Sequence, residues 1–150
     1  MTIVTKHHFN AFLLFLLLGV CLMFPKPAIS GDPVLIGSPD IFESTLTKKE
    51  IRNIYLGKKK KWLNGHAIKL TVNDTPEVQI SFTSVYLQKT PAQFITFWKN
   101  MVFVGQGRFP KFFSNEKELI DYIQSTDGAI GFISTDPPEG KDVRRFIISD

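Results

Sequence analysis

The sequence contains a single cysteine, Cys21, in 150 residues. A lone cysteine cannot form an intramolecular disulfide, and one thiolate is too few for a cysteine-based zinc site. The fold must therefore be stabilised by a hydrophobic core. The content of 43% hydrophobic and 21% charged residues is typical of a globular protein and excludes a largely disordered or fibrous chain. At roughly 100–200 residues per domain, the length fits one domain.

Histidine is also scarce, and only His66 lies beyond the N-terminal segment. We interpret His66 as a solvated turn residue beside Gly65. A metal site or a nucleophile–base pair needs further histidines or cysteines that the sequence does not provide. We therefore predict no catalytic residues, no metal and no cofactor, and we expect a protein that is not an enzyme.

The sequence lacks a strong excess of charge of either sign. Its formal net charge is +4, and it falls to +2 when residues 1–30, which hold Lys6 and Lys26, are left out. A nucleic-acid partner would require a much larger basic excess. The charge therefore predicts no nucleic-acid binding.

Only one long hydrophobic run is present, at residues 12–24. A short polar and basic segment precedes it, and prolines followed by Ala28, Ile29 and Ser30 come after it. This order is typical of a secretory signal peptide. We expect cleavage after Ser30, a periplasmic domain at residues 31–150 and no membrane span in that domain. An uncleaved N-terminal anchor is the alternative, although the run is shorter than the ~20 residues that a bilayer-spanning helix needs.

In residues 31–150, apolar strands alternate with capped helices. Thr47 with Glu50 forms a capping box, and Gly57 provides a left-handed helix stop. Thr75 with Pro76 is typical of an N-cap and first helical position, and Thr90, Pro91 and Gln93 repeat this pattern. We predict strands at residues 34–36, 67–73, 129–134 and 143–148, and helices that begin near residues 47, 76, 91 and 115. This order favours an α/β fold with a small mixed sheet flanked by about four helices.

Three spaced segments resemble the solute-binding proteins of bacterial phosphate ABC transporters. They are LTKKEIRNIYLGKKKKWLNG at residues 46–65, FWKNMVFVGQGRFP at residues 97–110 and GAIGFIS at residues 128–134. The chain is most similar to short, single-lobe members of that superfamily. The resemblance implies one lobe of a type II periplasmic binding-protein fold, with phosphate or another small oxyanion as the ligand.

The chain departs from the family where phosphate is bound. In the full phosphate binders, an Arg and a Ser-Gly-Thr-Thr turn follow the strand that corresponds to residues 67–73. This sequence has Asn73, Asp74, Thr75, Pro76 and Glu77 there. The glycine is absent, Pro76 removes one N–H donor, and two carboxylates stand close to the position of an anion. We interpret the two acids as helix-capping residues rather than a catalytic pair.

Four residues are candidate ligands for a small oxyanion: Ser38, Asn73, Thr75 and Arg108. Of these, only Asn73 and Thr75 occupy positions that the family motif would use. The first hypothesis for the function is therefore solute binding in transport or sensing.

The alternative hypothesis is a protein-interaction module that docks on a membrane sensor or transporter. Its candidate surface is the aromatic loop, residues 103–113, in which Arg108 and Lys111 alternate with phenylalanines. Aromatic residues and Arg are enriched at binding hot spots. The same phenylalanines could instead pack under the sheet. Residues 58–61, four consecutive lysines, are either a solvated surface or an attractor for an acidic partner.

Overall fold

The computed structural model describes residues 31–150. The predicted signal peptide, its cleavage site after Ser30 and Cys21 lie outside the described residues. Within these residues, no helix is long and apolar enough to span a membrane.

Within residues 31–150, four helices form where the capping signals place them. Thr47 and Glu50 make both hydrogen bonds of a capping box, and Thr90 and Gln93 do the same at a second helix. Asn115 caps the fourth helix by accepting hydrogen bonds from two backbone amides. The helices are α1 (Lys48–Tyr55), α2 (Pro76–Phe82), α3 (Pro91–Phe103) and α4 (Glu116–Gln124), and a π-helical turn (Thr83–Leu87) extends α2.

In the described part of the chain, seven short strands form two sheets. They are β1 (Val34–Gly37), β2 (Thr45–Thr47), β3 (Lys69–Asn73), β4 (Lys111–Phe113), β5 (Ala129–Ile133), β6 (Arg144–Arg145) and β7 (Ile147–Ser149). The main sheet has the order β4-β3-β5-β1-β6, and β2 pairs with β7 in a separate parallel pair. Strands β3, β4 and β5 are parallel, whereas β1 runs antiparallel to β5 and β6. The predicted α/β fold with a mixed sheet and four helices is confirmed.

Three details of the predicted strands are wrong. Strand β2 was not predicted, and the end of the aromatic loop forms β4 because it pairs with β3. The predicted last strand at residues 143–148 is divided into β6 and β7. Phe146 lies between these two strands with its ring buried, and its backbone amide bonds to Leu35.

The main sheet separates two hydrophobic clusters. The larger cluster holds buried residues of α1, α2 and α3, and the smaller one lies under α4. At the centre of the larger cluster, the rings of Phe82 and Phe132 stack with centroids 3.8 Å apart, and Tyr55 packs against both by its edge. Glycine at 131 brings β5 close to its neighbours, since a Cβ there would lie 2.3 Å from Thr71 Oγ1.

The strand directions define two ends of the main sheet. Because β3, β4 and β5 are parallel, Asn73, Phe113 and Ile133 end their strands at the same edge, which we call the carboxyl edge. Ser38 follows β1 at the other end, where its backbone amide donates to the Ala129 carbonyl at 2.9 Å. Five residues of strand at about 3.3 Å each separate the two ends by roughly 15 Å.

Candidate functional site

Asn73 and Thr75 form a tight turn at the carboxyl edge. Asn73 is buried, and its Oδ1 accepts a 2.9 Å hydrogen bond from the Thr75 backbone amide. An Asn side chain that bonds the backbone two residues later is a common turn element. Thr75 stands at the N-cap of α2, but its hydroxyl makes no capping hydrogen bond. The two predicted ligands are therefore neighbours, with the Asn73 side chain engaged within the protein.

The Glu116 carboxylate lies at the ends of β3 and β5. Its Oε1 accepts 2.7 Å hydrogen bonds from Asn73 Nδ2 and from the Ser134 backbone amide, and its Oε2 accepts a 2.9 Å bond from the Ser134 hydroxyl. Glu116 is also the first helical residue of α4, where a negative charge is favoured by the helix dipole. The Glu116 carboxylate thus occupies the hydrogen-bond donors of Asn73 and Ser134, which a bound oxyanion would need.

Further negative charge surrounds this turn. Asp74 and Glu77 are both exposed at the start of α2, and Asp74 Oδ1 lies 3.5 Å from Gln79 Nε2. Pro76 at the first helical position removes one amide donor. An exposed helix N-terminus favours an anion by about 0.3–1 kcal/mol. Unit charges 4 Å apart in water repel by about 1 kcal/mol, so a nearby carboxylate can offset that contribution.

Ser38 does not join Asn73 and Thr75. It is fully buried at the opposite end of the main sheet, and its hydroxyl has no hydrogen-bond partner of standard geometry among the described residues. The direction of β1, which is antiparallel to β5, causes this separation. The structure thus divides the four predicted ligands among different places.

Asp40 organises the end of the sheet near Ser38, although nothing in the sequence around it indicates such a role. Its carboxylate accepts hydrogen bonds from His66 Nδ1 at 2.6 Å, the Gly128 amide at 3.1 Å and Asn64 Nδ2 at 3.2 Å. Burial opposes its ionisation, but the neighbouring polar groups, Ser38 included, outweigh burial and lower the Asp40 pKa to about 2. The His66 side chain is exposed, as expected of a turn residue, and it is also hydrogen-bonded to Asp40. The partners lie 26 and 88 residues away in the sequence, so no local pattern indicates them.

Arg108 lies on a groove beside β3 and β4, and none of the other three candidates lines this groove. The groove has a volume of about 460 Å³. We call it the basic groove, because five cationic side chains line it: Lys59, Lys60, Lys69, Arg108 and Lys111. Its apolar walls include Leu70, Trp98, Phe109 and Tyr122.

The phenylalanines of the aromatic loop are divided between surface and core. Phe103 is 92% exposed and Phe109 is 43% exposed, whereas Phe113 is buried and Phe112 packs partly against the larger cluster. The first part of the loop is therefore exposed, as the docking hypothesis expects, and its end packs in the core, as the alternative interpretation expects. Trp62, beside the lysine run, is buried and stacks on Phe146, so it belongs to the core.

In residues 31–150, no cluster of three His, Cys, Asp or Glu side chains is arranged to hold a metal ion.

Comparison with known proteins finds similarity in structure only. No protein-family profile matches the chain, and no curated protein sequence matches it. Among solved structures, a possible phosphate binding protein from Planctomyces limnophilus aligns with a TM-score of 0.56 at 18% identity, over 79% of this chain and 42% of that one.

Two further solved structures align in the same way. A putative phosphate ABC transporter substrate-binding protein from Clostridium perfringens, solved with bound phosphate, has a TM-score of 0.53, 22% identity and coverage of 80% and 46%. An ABC-type phosphate transport receptor from Vibrio cholerae aligns with a TM-score of 0.51 at 13% identity, over 78% of this chain and 46% of that one. The chain has the fold of one lobe of a type II periplasmic binding protein. The chain spans less than half the length of these proteins, and the predicted resemblance to them is confirmed at the level of the fold.

Proposed function

We propose that this chain is an exported, non-enzymatic relative of the phosphate-type solute-binding proteins, and that its lobe docks on a membrane sensor or transporter. The fold supports the relationship to binding proteins. The N-terminal sequence pattern supports export. The docking role is supported by the carboxylate that already occupies the carboxyl edge.

One observation carries the docking role: the Glu116 carboxylate takes the hydrogen bonds of Asn73 and Ser134 at the strand ends. A phosphate placed there would have to compete with a covalently attached anion and overcome the charge of Asp74. Net hydrogen-bond contributions in an open, wet site are small. The lobe is therefore poorly suited to hold free phosphate by itself.

The arrangement of hydroxyls and His66 supports a non-enzymatic role. Acyl transfer requires a nucleophile within hydrogen-bond reach of a base. Among residues 31–150, His66 Nδ1 contacts Asp40 and Asn64, and no Ser or Thr hydroxyl bonds to its ring.

Binding of phosphate or another small oxyanion at Asn73 and Thr75 is the second candidate. It is favoured by the structural likeness to a protein solved with bound phosphate and by the Thr75 hydroxyl, which makes no capping bond at the carboxyl edge. Displacement of Glu116 by the ligand would be required.

A calorimetric titration separates the two candidates. The full chain, purified in mild detergent, is titrated with phosphate, with sulfate as the control, and thermal unfolding is recorded in parallel. We expect no phosphate-specific heat and no rise in melting temperature at millimolar phosphate. A phosphate-specific response that Thr75→Ala abolishes would reject the docking role and establish oxyanion binding.

A further inference from the structure

The basic groove joins a cationic surface to an unpaired sheet edge. Strand β4 stands at the end of the main sheet and pairs only with β3 among the strands of residues 31–150. Arg108 precedes this strand and Lys111 begins it. The groove thus places apolar walls and positive charge beside an edge strand whose outer side pairs with no other strand of residues 31–150.

The charges of the groove are not neutralised internally. Lys59 lies 3.6 Å from Glu43 and 3.7 Å from Glu50. No carboxylate in residues 31–150 forms an ion pair with the other four cations, Lys60, Lys69, Arg108 and Lys111. None of the described residues that line the groove is acidic. Since the formal net charge of residues 31–150 is only +2, this concentration of cations is local.

Lys111 is oriented by aromatic rings rather than by acids. Its Nζ lies 4.2 Å from the centre of the Tyr122 ring and 5.0 Å from that of Phe113. Cations over aromatic rings keep their charge available to a further anionic partner. A single lysine on an edge strand would suffice to prevent aggregation through that edge. Four unpaired cations around apolar walls exceed that need.

From these observations we propose that the basic groove binds an acidic, extended segment of a partner protein, which adds a strand to the edge of β4. Carboxylates of the segment pair with Arg108, Lys111 and Lys69, and an apolar side chain packs against Phe109. Strand addition takes its affinity from main-chain hydrogen bonds and its specificity from side-chain pockets. The groove volume of about 460 Å³ exceeds the size of an inorganic oxyanion. This proposal rests on the docking role and identifies the chemistry of the partner.

The test measures binding of short fluorescent peptides to the full chain by anisotropy. The probe alternates Glu and Val around a central Phe, and its matched peptide has Gln in place of each Glu. We expect the acidic peptide to bind at least about tenfold more tightly, with an affinity that falls as salt is raised. Equal affinity for the two peptides would overturn the proposal.

A pair of charge-matched double variants locates the site. Arg108→Glu with Lys111→Glu should weaken binding of the acidic peptide by about tenfold or more. Lys58→Glu with Lys61→Glu makes the same change in net charge on exposed lysines outside the groove, and it should have little effect. Circular dichroism verifies that both variants fold. An equal loss in both pairs would show general charge attraction and reject the groove.

Hydrogen exchange distinguishes strand addition from simple charge pairing. The bound peptide should slow exchange of backbone amides in residues 108–113, and unchanged exchange there would overturn the strand-addition mode. Binding of citrate without binding of the peptide would show a small-anion site and reject the proposal. If the peptide does not bind and the phosphate titration shows no response, only the proposal for the groove is rejected. A phosphate-specific response rejects the docking role itself.

Discussion

The side-chain amide of Asn73 donates a 2.7 Å hydrogen bond to the Glu116 carboxylate, although 43 residues separate the two in the chain. Through this contact and the two bonds from Ser134, Glu116 connects the ends of β3 and β5 to the start of α4. The carboxylate acts as a built-in anion at the carboxyl edge. Its removal should therefore affect both the stability and the ligand response of the lobe.

Glu116→Gln should lower the free energy of unfolding by about 1–2 kcal/mol, because hydrogen bonds to a charged group are stronger than those to a neutral one. Urea denaturation of the variant measures this change. Glu118→Gln is the matched control, since Glu118 is an exposed acid in the same helical turn. Equal losses in the two variants would mean that only the helix-dipole effect is present.

Acid should destabilise the protein through Asp40. The folded pKa of about 2 lies below the ordinary value of 3.8. The stabilisation is therefore complete above pH 3.8 and is lost as the pH falls from 3.8 towards 2. Water screens part of the effect, so we expect a contribution of about 1 kcal/mol. Urea denaturation between pH 6 and pH 2, compared for the native chain and Asp40→Asn, measures it, and Asp142→Asn provides an exposed control. An unchanged acid dependence in Asp40→Asn would contradict this assignment.

Gly131→Ala should destabilise the fold by about 1–3 kcal/mol, because the added methyl overpacks a tight interface. The new Cβ would lie 2.3 Å from Thr71 Oγ1 and 2.8 Å from Ile123 Cδ1. Thermal unfolding of the two single variants, Gly131→Ala and Thr71→Ala, and of the double variant tests the cause. Coupling between the two sites should make the double variant less destabilised than the sum of the single ones. Strict additivity would indicate that the clash with Thr71 is not the cause.

Phe132→Ala should cost about 3–5 kcal/mol, since it removes the ring that stacks on Phe82 in the larger cluster. Phe103→Ala removes the same side chain from a position that is 92% exposed and should change stability by less than about 0.5 kcal/mol. Urea denaturation compares the two. Similar losses at both positions would show that the division of phenylalanines between core and surface is incorrect.

The helices were predictable because their signals are local. Thr47 with Glu50 and Thr90 with Gln93 lie three residues apart, and each pair forms the capping box that the sequence indicates. Strand β2 was not predictable in this way. It has three residues, and it is a strand because Thr45 pairs with Ile147, far away in the chain.

The candidate site was only partly predictable, for the same reason. Asn73 and Thr75 are neighbours in the turn because they are neighbours in the sequence. The position of Ser38 depends on the direction of β1, and the polarity of a strand has no local sequence signal. The roles of Glu116 and Asp40 depend on partners that only the folded sheet brings close.

The pairing of β2 with β7 has a consequence for the time course of folding. It joins residues 45–47 to residues 147–149, and beside it Lys48 forms an ion pair with Asp150, 102 residues away. A contact over such a separation must first overcome the entropy of closing a long loop, and chains rich in distant contacts reach the native state slowly. The local helices should therefore form early, and β2 and β7 should meet among the last steps.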